Sequence, residues 1–194
     1  MSDFTTFLAL GFRHVTEPSA LDHLLFLVAL AAPYRLRDWR HLLAVASAFT
    51  VGHSITLALV VTGAAHLPTA LIEFLIPVTI VLAGLENLRQ SGARPRGWLF
   101  PVLAGGFGLI HGAGFANFLR AMFTGAVALP LFSFNVGIEL GQITVLTLAL
   151  VLLTAADRGM AAAWPARGLR ARAMATSLVA AVWAAAMAVQ RSPW

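Results

Sequence analysis

The stretch from Gly11 to Ala32, GFRHVTEPSALDHLLFLVALAA, places ionisable side chains before and inside an apolar run. His14 precedes the run, and Asp22 and His23 lie at its start. An ionisable group at membrane depth is costly, so it persists mainly where it pairs, lines a wet cavity or binds a ligand. Other apolar segments repeat the pattern and contain His53, Glu73, Glu86, His111 and Glu139. This combination indicates a membrane protein that binds a polar ligand.

The composition is that of an integral membrane protein. Of the 194 residues, 59% are hydrophobic and 11% are charged, whereas soluble domains contain roughly 25% charged residues. The 13 basic residues are all arginines, and they form no basic patch with interleaved aromatics, so we expect no nucleic-acid partner. We expect a single integral membrane domain over residues 1–194 that lies in the lipid bilayer. The sequence leaves assembly into a homo-oligomer open.

Hydropathy predicts an all-α polytopic protein, a bundle of six transmembrane helices. A window of about 19 residues places the spans at Pro18–Ala32, His41–Gly63, Thr69–Leu88, Trp98–Leu119, Pro130–Ala156 and Ala171–Gln190. The first span is short for about 30 Å of hydrocarbon. We therefore expect the preceding short segment, Phe4–Phe12, to lie in the interface or to enter the membrane as a re-entrant turn. Three spans followed by three of opposite orientation suit an inverted repeat, although the sequence contains only a weak echo between the second and fifth spans.

The placement of arginine predicts the orientation. Three alternate loops, Tyr34–Arg40, Arg89–Gly97 and Asp157–Arg172, contain most of the arginines. The positive-inside rule then puts these loops in the cytoplasm and both termini outside. The expected location is the inner membrane of a bacterium.

Orientation converts sequence position into depth, at about 1.5 Å per helical residue. His23, His53, His111 and Glu139 then lie roughly 8 to 15 Å below the outer surface, although they belong to four different spans. We therefore expect side chains from at least four helices to gather around a hydrophilic chamber in the outer half of the membrane.

Imidazole and oxygen are the ligands that this chain offers to a metal ion, because cysteine is absent. That donor set favours Ni²⁺, Co²⁺ or Zn²⁺ over Cu⁺. The predicted metal ligands are His14, Asp22, His23, His53, His111 and Glu139. Glu73, Glu86, Asn135 and Gln142 are predicted to line the ion pathway or to support the ligands.

Helical geometry indicates how two sets of these residues are oriented. Asp22 and His23 are adjacent and so about 100° apart on a helix, and one plausible division makes His23 the ligand and Asp22 the acceptor that orients a neighbouring imidazole. Asn135, Glu139 and Gln142 are spaced i, i+4 and i+7, so they form one stripe on the fifth span.

Four separated motifs resemble the HupE/UreJ family of membrane proteins. They are DHLLFL at residues 22–27 after Gly11 and His14, FTVGHSITLA at 49–58, GLIHGAGFA at 108–116 and FNVGIELGQ at 134–142. The resemblance covers about residues 11 to 145 and implies a secondary, energy-independent permease for Ni²⁺ or Co²⁺ that supplies hydrogenase or urease. It implies roles at the site for His14, Asp22, His23, His53, His111 and Glu139. Val15 follows His14 where the better-characterised nickel members have proline, which indicates a divergent branch.

Two other functional classes fit the same residues. An intramembrane zinc-dependent hydrolase could use three histidines, an aspartate and the nearby Ser54, with an open position for water. A haem-binding membrane subunit could use paired histidines on separate helices. The chain has no Gly-x-Ser-x-Gly elbow, which argues against a serine nucleophile. We expect a transporter rather than an enzyme.

Overall fold

The computed structural model describes residues 3–90, 97–122, 126–163 and 168–194, and within these ranges the chain forms α-helices and no strand. The helices are α1 (Asp3–Thr16), α2 (Leu21–Ala31), α3 (Trp39–Val61), α4 (Thr69–Arg89), α5 (Leu99–Met122), α6 (Ala128–Ala163) and α7 (Gly168–Gln190), and a 3-10 turn (Leu36–Asp38) precedes α3. The fold is the all-α polytopic bundle that hydropathy predicts.

Helices α3 to α7 are each long and apolar enough to cross a membrane. Large apolar side chains cover their outward faces, including Val102, Leu148 and Val182. Soluble monomers rarely expose apolar surface on this scale, so the chain is an integral membrane protein. Three of the arginines on which the predicted orientation depends, Arg94, Arg96 and Arg167, lie outside the described residues.

The first predicted span, Pro18–Ala32, is not a membrane-spanning helix. Helix α2 has 11 residues, which cover about 16 Å at 1.5 Å per residue, roughly half of the hydrocarbon thickness. Helix α1 ends at Thr16 because Glu17 precedes Pro18, and the residue before a proline disfavours helical backbone. Pro18 lies in a break at residues 17–20, after which α2 begins at Leu21. The first span of the six predicted ones is thus replaced by two short helices, α1 and α2.

Helix α1 packs along α6 through one buried face, which contains Phe7, Gly11 and Val15. Its backbone touches α6 at Gly11, where an added Cβ would overlap the carbonyl of Phe134. Of the two alternatives for the N-terminal segment, this contact favours the one that enters the bundle over the one that lies in the interface. His14 and His23 flank the break between α1 and α2, with ring centroids 4.5 Å apart. Interrupted membrane helices of this kind often carry the binding site of a transporter.

Helices α3 and α5 are parallel and pack with their backbones in contact. A Cβ at Gly52 would overlap the carbonyl of Gly105, and one at Gly108 would overlap the carbonyl of Phe49. Small residues allow such close approach, which provides the van der Waals contact that holds helices together in lipid. The contact fixes the positions of Phe49 and His53 relative to α5.

Helices α1 and α6 form a second pair with the same register. Gly137 meets the carbonyl of Leu8 and the amide of Phe12, just as Gly108 meets Phe49 and His53 in the first pair. Gly11 of α1 thus corresponds to Gly52 of α3, which is 41 positions later, and the same offset applies along α1. Gly137 of α6 corresponds to Gly108 of α5, which is 29 positions earlier. Backbone geometry therefore repeats within the molecule.

The two pairs run in opposite directions. Phe115 near the end of α5 stacks on Phe134 near the start of α6, with ring centroids 5.4 Å apart, whereas Leu42 near the start of α3 shares a groove with Leu150 in the second half of α6. The same glycine contact thus occurs in two helix pairs of opposite direction. The correspondence relates α1 to α3 and α6 to α5, and so it differs both from an inverted repeat of three spans on three and from the echo between the second and fifth spans.

Helix α7 holds both ends of α2. Arg172 donates hydrogen bonds to the carbonyls of Ala32 and Tyr34, at 2.9 and 2.8 Å, just beyond the C-terminal end of α2. At the other end, Arg191 lies 3.4 Å from the carboxylate of Asp22. The half-length helix is therefore positioned by the last helix of the chain.

Candidate metal centre

Three histidines from three helices meet at the break between α1 and α2. One ring nitrogen from each of His14, His23 and His53 lies within 4.8 Å of the other two. His14 is in the last turn of α1, His23 is in the first turn of α2, and His53 is fixed on α3 by the contact with Gly108 and Gly112. The structure thus brings together three of the six predicted ligands.

Several ring nitrogens of this group have no hydrogen-bond partner among the described residues. They are Nε2 of His14, Nε2 of His23 and both nitrogens of His53, and all of them are buried. Buried polar atoms in native proteins nearly always have partners, and a neutral imidazole offers a lone pair that suits borderline divalent metal ions. The unpaired nitrogens therefore fit a cation ligand better than they fit a purely structural role.

Asp22 fixes the orientation and the tautomer of His23. Its Oδ1 accepts the backbone N–H of His23 at 2.9 Å and lies 3.1 Å from Nδ1 of the same residue. With the Nδ1 proton directed at the carboxylate, Nε2 presents its lone pair to the other imidazoles. A carboxylate that holds a histidine in this way is a common support for metal ligands.

Thr79 does the same for His111, which comes from α5. The Thr79 hydroxyl donates its proton to the carbonyl of Ile76 at 2.6 Å and lies 2.9 Å from Nε2 of His111. Because a hydroxyl has one proton, Thr79 accepts from Nε2–H, and Nδ1 of His111 is left with its lone pair. This Nδ1 is buried and unpaired, and the His111 ring is 5.3 Å from that of His23, although it lies outside the group of three.

An open cavity of about 620 Å³ leads to the histidines. Its walls include His14, His23 and His111, together with the charged groups Arg13, Glu17, Asp22, Glu73 and Arg191. His53 is fully buried and is not one of these lining residues. The cavity therefore gives an ion access to His14, His23 and His111.

The predicted stripe on α6 lies against α3 rather than in the histidine group. Glu139 accepts a hydrogen bond from Ser47 at 2.5 Å, and Gln142 accepts one from Thr50 at 3.0 Å. Asn135 donates to the carbonyl of Leu131 in its own helix. Among the described residues, Glu139 is therefore not part of the group of His14, His23 and His53, whose ligand atoms lie within 4.8 Å of one another.

Glu73 and Glu86 lie at different ends of α4. Glu73 is exposed and lines the open cavity. Glu86 is 13 residues further along, about 20 Å away, and its carboxylate accepts hydrogen bonds at 2.7 Å from Arg89 and from Gln90. Glu73 is thus placed to meet an entering ion, while Glu86 belongs to the opposite end of the bundle.

The three imidazoles would have to move closer together to share one ion. Imidazole nitrogens bind at 2.0–2.1 Å from zinc, so two nitrogens on a tetrahedral ion are about 3.4 Å apart. The observed limit of 4.8 Å exceeds this by about 1.4 Å. An ion that binds all three nitrogens therefore draws the rings of His14, His23 and His53 together.

A family model described as HupE / UreJ protein matches residues 1–187. The chain belongs to the HupE/UreJ family. The match extends beyond residues 11 to 145, the range of the motif resemblance, and includes most of α7. No curated protein and no solved structure matches the chain. The HupE/UreJ family is known for nickel and cobalt transport, and the histidine motifs of this member form the group around the break.

Some residues that build the site give no signal in the sequence. Thr79 follows Pro77 in an apolar helix, and its contact with His111 depends on how α4 packs against α5. Arg191 lies after the last predicted span, where the sequence suggests an interfacial residue, yet its guanidinium group forms an ion pair with Asp22. Only the fold brings these pairs together.

Proposed function

We propose that the protein is a permease for a divalent transition-metal ion, Ni²⁺ or Co²⁺, in the inner membrane of a bacterium. The ion is the substrate, and it enters through the cavity and binds the imidazoles of His14, His23 and His53. With the orientation that the arginines predict, both termini and the cavity opening face outside.

One observation carries this proposal. One ring nitrogen from each of His14, His23 and His53 lies within 4.8 Å of the other two, their unpaired nitrogens are buried, and an open cavity reaches His14 and His23. Such nitrogens bind borderline cations well, and with no thiolate in the chain the site lacks the soft ligands that trap an ion most strongly. His111 is placed to take part, since Thr79 leaves its Nδ1 free.

Carboxylates around the entrance support the cation as substrate. Glu17, Asp22 and Glu73 line the cavity together with Arg13 and Arg191, so the wall carries one net negative charge. Asp22 is paired with Arg191 and also bonds His23. Glu17 and Glu73 are therefore the carboxylates best placed to attract an entering cation, and this attraction should weaken as ionic strength rises.

The test is uptake of radioactive nickel or cobalt into proteoliposomes that contain His14→Ala, His23→Ala or His53→Ala. Each variant should lose metal affinity by about 100-fold or more, because removal of a ligand costs at least as much as the 10–100-fold typical of its supporting residues. His41→Ala and His66→Ala are matched controls, since both histidines are exposed and lie at helix ends.

Wild-type uptake in all three site variants would reject the permease. Loss of uptake in the two control variants would show that the effect is not specific to the site. Equilibrium binding of Ni²⁺, Co²⁺ and Zn²⁺ to the purified protein identifies the preferred ion, and the Zn²⁺ result bears on the hydrolase alternative.

The cavity is the one observation that favours the hydrolase, because it leaves room for a substrate beside three histidines. Ser54, however, donates its proton to the carbonyl of Thr50 at 2.7 Å, so its hydroxyl is directed at the backbone and not at the imidazoles. Chelator-sensitive cleavage of a lipid or amide by the purified protein would support hydrolysis. A Soret absorbance would support the haem alternative.

A further inference from the structure

The histidine group is open on one side and closed on the other. The cavity walls include His14, His23 and His111, whereas two phenylalanine rings lie directly behind the imidazoles. Phe26 of α2 and Phe49 of α3 are each 1% exposed, and their ring centroids are 4.7 Å apart. We call this pair the aromatic plug.

The aromatic plug contacts the site itself. The ring of His111 is 5.5 Å from that of Phe26 and 5.1 Å from that of Phe49. Phe49 is also 6.0 Å from His53, one helical turn further along α3. An ion that leaves the imidazoles in the direction away from the cavity therefore meets these two rings first.

Phe26 also lines a small void toward the Glu86 end of the bundle. The void has a volume of about 10 Å³, and its lining includes Leu30, Ala83, Ala104 and Glu86. A void of this size is at the lower limit for one water molecule. This void therefore provides no wide hydrated path from the site past Phe26.

The two halves of the aromatic plug differ in how they are held. The backbone of Phe49 is in contact with Gly108 of α5. Phe26 belongs to α2, the half-length helix, which packs through buried apolar residues such as Ala29 and Leu30 and is bonded by the side chains of Arg191, Arg172 and Asn87. Displacement of α3 would separate its backbone from that of α5, whereas the described part of α2 has no glycine contact of this kind.

We propose that Phe26 and Phe49 form the gate that closes the metal site toward the Glu86 end, and that Phe26 is its moving half. This inference rests on the proposed permease function. His23 and Phe26 are three residues apart and lie on one face of α2. A displacement of α2 therefore moves a metal ligand and the gate ring together, so release of the ion and opening of the exit occur in one step.

Thiol labelling tests the gate without any metal, because the chain has no cysteine. Ala104→Cys places a single thiol in the small void, and Ser19→Cys places one in the wall of the open cavity. A membrane-impermeant methanethiosulfonate is added to proteoliposomes on the side of the cavity. Ser19→Cys should react rapidly in every background, and Ala104→Cys should be protected in the otherwise wild-type chain.

Truncation of either ring should remove the protection. In Phe26→Ala or Phe49→Ala, we expect Ala104→Cys to react at least tenfold faster from the cavity side, while Phe26→Leu and Phe49→Leu should stay protected. Phe132→Ala is the matched control, because this ring is 61% exposed on the outer face of α6. If Phe26→Ala inserts poorly, Phe26→Val replaces it, because the valine side chain is also much smaller than that of phenylalanine.

Rapid labelling of Ala104→Cys in the wild-type background, or unchanged protection in the truncated variants, would overturn the gate. Neither result depends on transport, so the permease can fail in the uptake assay while the gate passes this one, or the reverse. A gate that holds also predicts that Phe26→Ala binds Ni²⁺ within roughly threefold of wild type, because neither ring supplies a ligand atom.

Discussion

The α3·α5 pair and the α1·α6 pair have the same backbone geometry and different chemistry. His53 in the first pair corresponds to Phe12 in the second, and His111 corresponds to Leu140. Glycine contacts therefore set the packing in both pairs, whereas one pair supplies two buried imidazoles and the other supplies His14 outside the repeated contact. The comparison shows that the scaffold and the site are specified by separate residues.

The largest effect should come from His53→Ala, compared with Phe12→Ala at the corresponding position of the other pair. We expect His53→Ala to reduce Ni²⁺ affinity by about 100-fold or more, since a ligand is lost, and Phe12→Ala to reduce stability alone. Titration calorimetry with Ni²⁺ and a thermal unfolding measurement separate the two effects. Equal loss of affinity in both variants would mean that the site depends on packing and not on the imidazole.

Gly108→Ala and Gly137→Ala should destabilise the protein to a similar extent. In each case the added methyl group would overlap a carbonyl of the partner helix, that of Phe49 or of Leu8, and overpacking costs about 1–3 kcal/mol. Gly106→Ala is the control, because its Cβ meets nothing within 4 Å. Thermal unfolding in detergent measures the change in stability of each variant. A loss of stability for Gly108→Ala alone would show that the two helix pairs are not equivalent.

A smaller effect is expected from Thr79→Val, which removes the acceptor that orients His111. Loss of a supporting hydrogen bond should lower Ni²⁺ affinity by about tenfold, at the lower end of the range for such residues. Thr144→Val is the comparison, because Thr144 is exposed and its hydroxyl bonds only to the Leu140 carbonyl of its own helix. Identical affinities for the two variants would leave His111 without a role at the site.

The smallest effect should come from Glu139→Gln. The carboxylate bonds to Ser47 outside the imidazole group, and substitutions without shared partners act independently, so Ni²⁺ affinity should stay within roughly threefold of wild type. Ile110 occupies the corresponding position on α5, and Ile110→Val provides the matched control. An affinity loss as large as that of His53→Ala would place Glu139 among the ligands, as the family resemblance implies.

Hydropathy predicts the long helices well, because each needs about 20 apolar residues and nothing else in the sequence resembles them. It fails at Pro18–Ala32, which it predicts as a span although the helix there, α2, is too short to cross the membrane. A window of about 19 residues also averages over the break at residues 17–20, so it does not give the helix ends on either side of Pro18. The sequence shows the glycines of the motifs, but it does not show which backbone groups of other helices they contact.

The site is predictable in part for a related reason. The histidines stand out because ionisable groups are rare in apolar segments, and His14, His23 and His53 indeed come together. Glu139 has the same depth as His53, yet depth alone does not give the direction in which a side chain points around its helix. The supporting contacts of Thr79 and Arg191 join residues that are far apart in the chain, so they follow only from the packing.

The depth of the cavity also determines where the transmembrane voltage acts. With the orientation proposed above, the cavity faces outside, and solvent in it would carry the external potential to His14 and His23. Most of the electric field would then fall across the protein between these imidazoles and the Glu86 end. Movement of one elementary charge through 100 mV is worth about 2.3 kcal/mol, so a divalent cation that crossed the full field would gain about 4.6 kcal/mol. In the proposed permease, a negative interior would thus draw the ion inward without a coupled energy source.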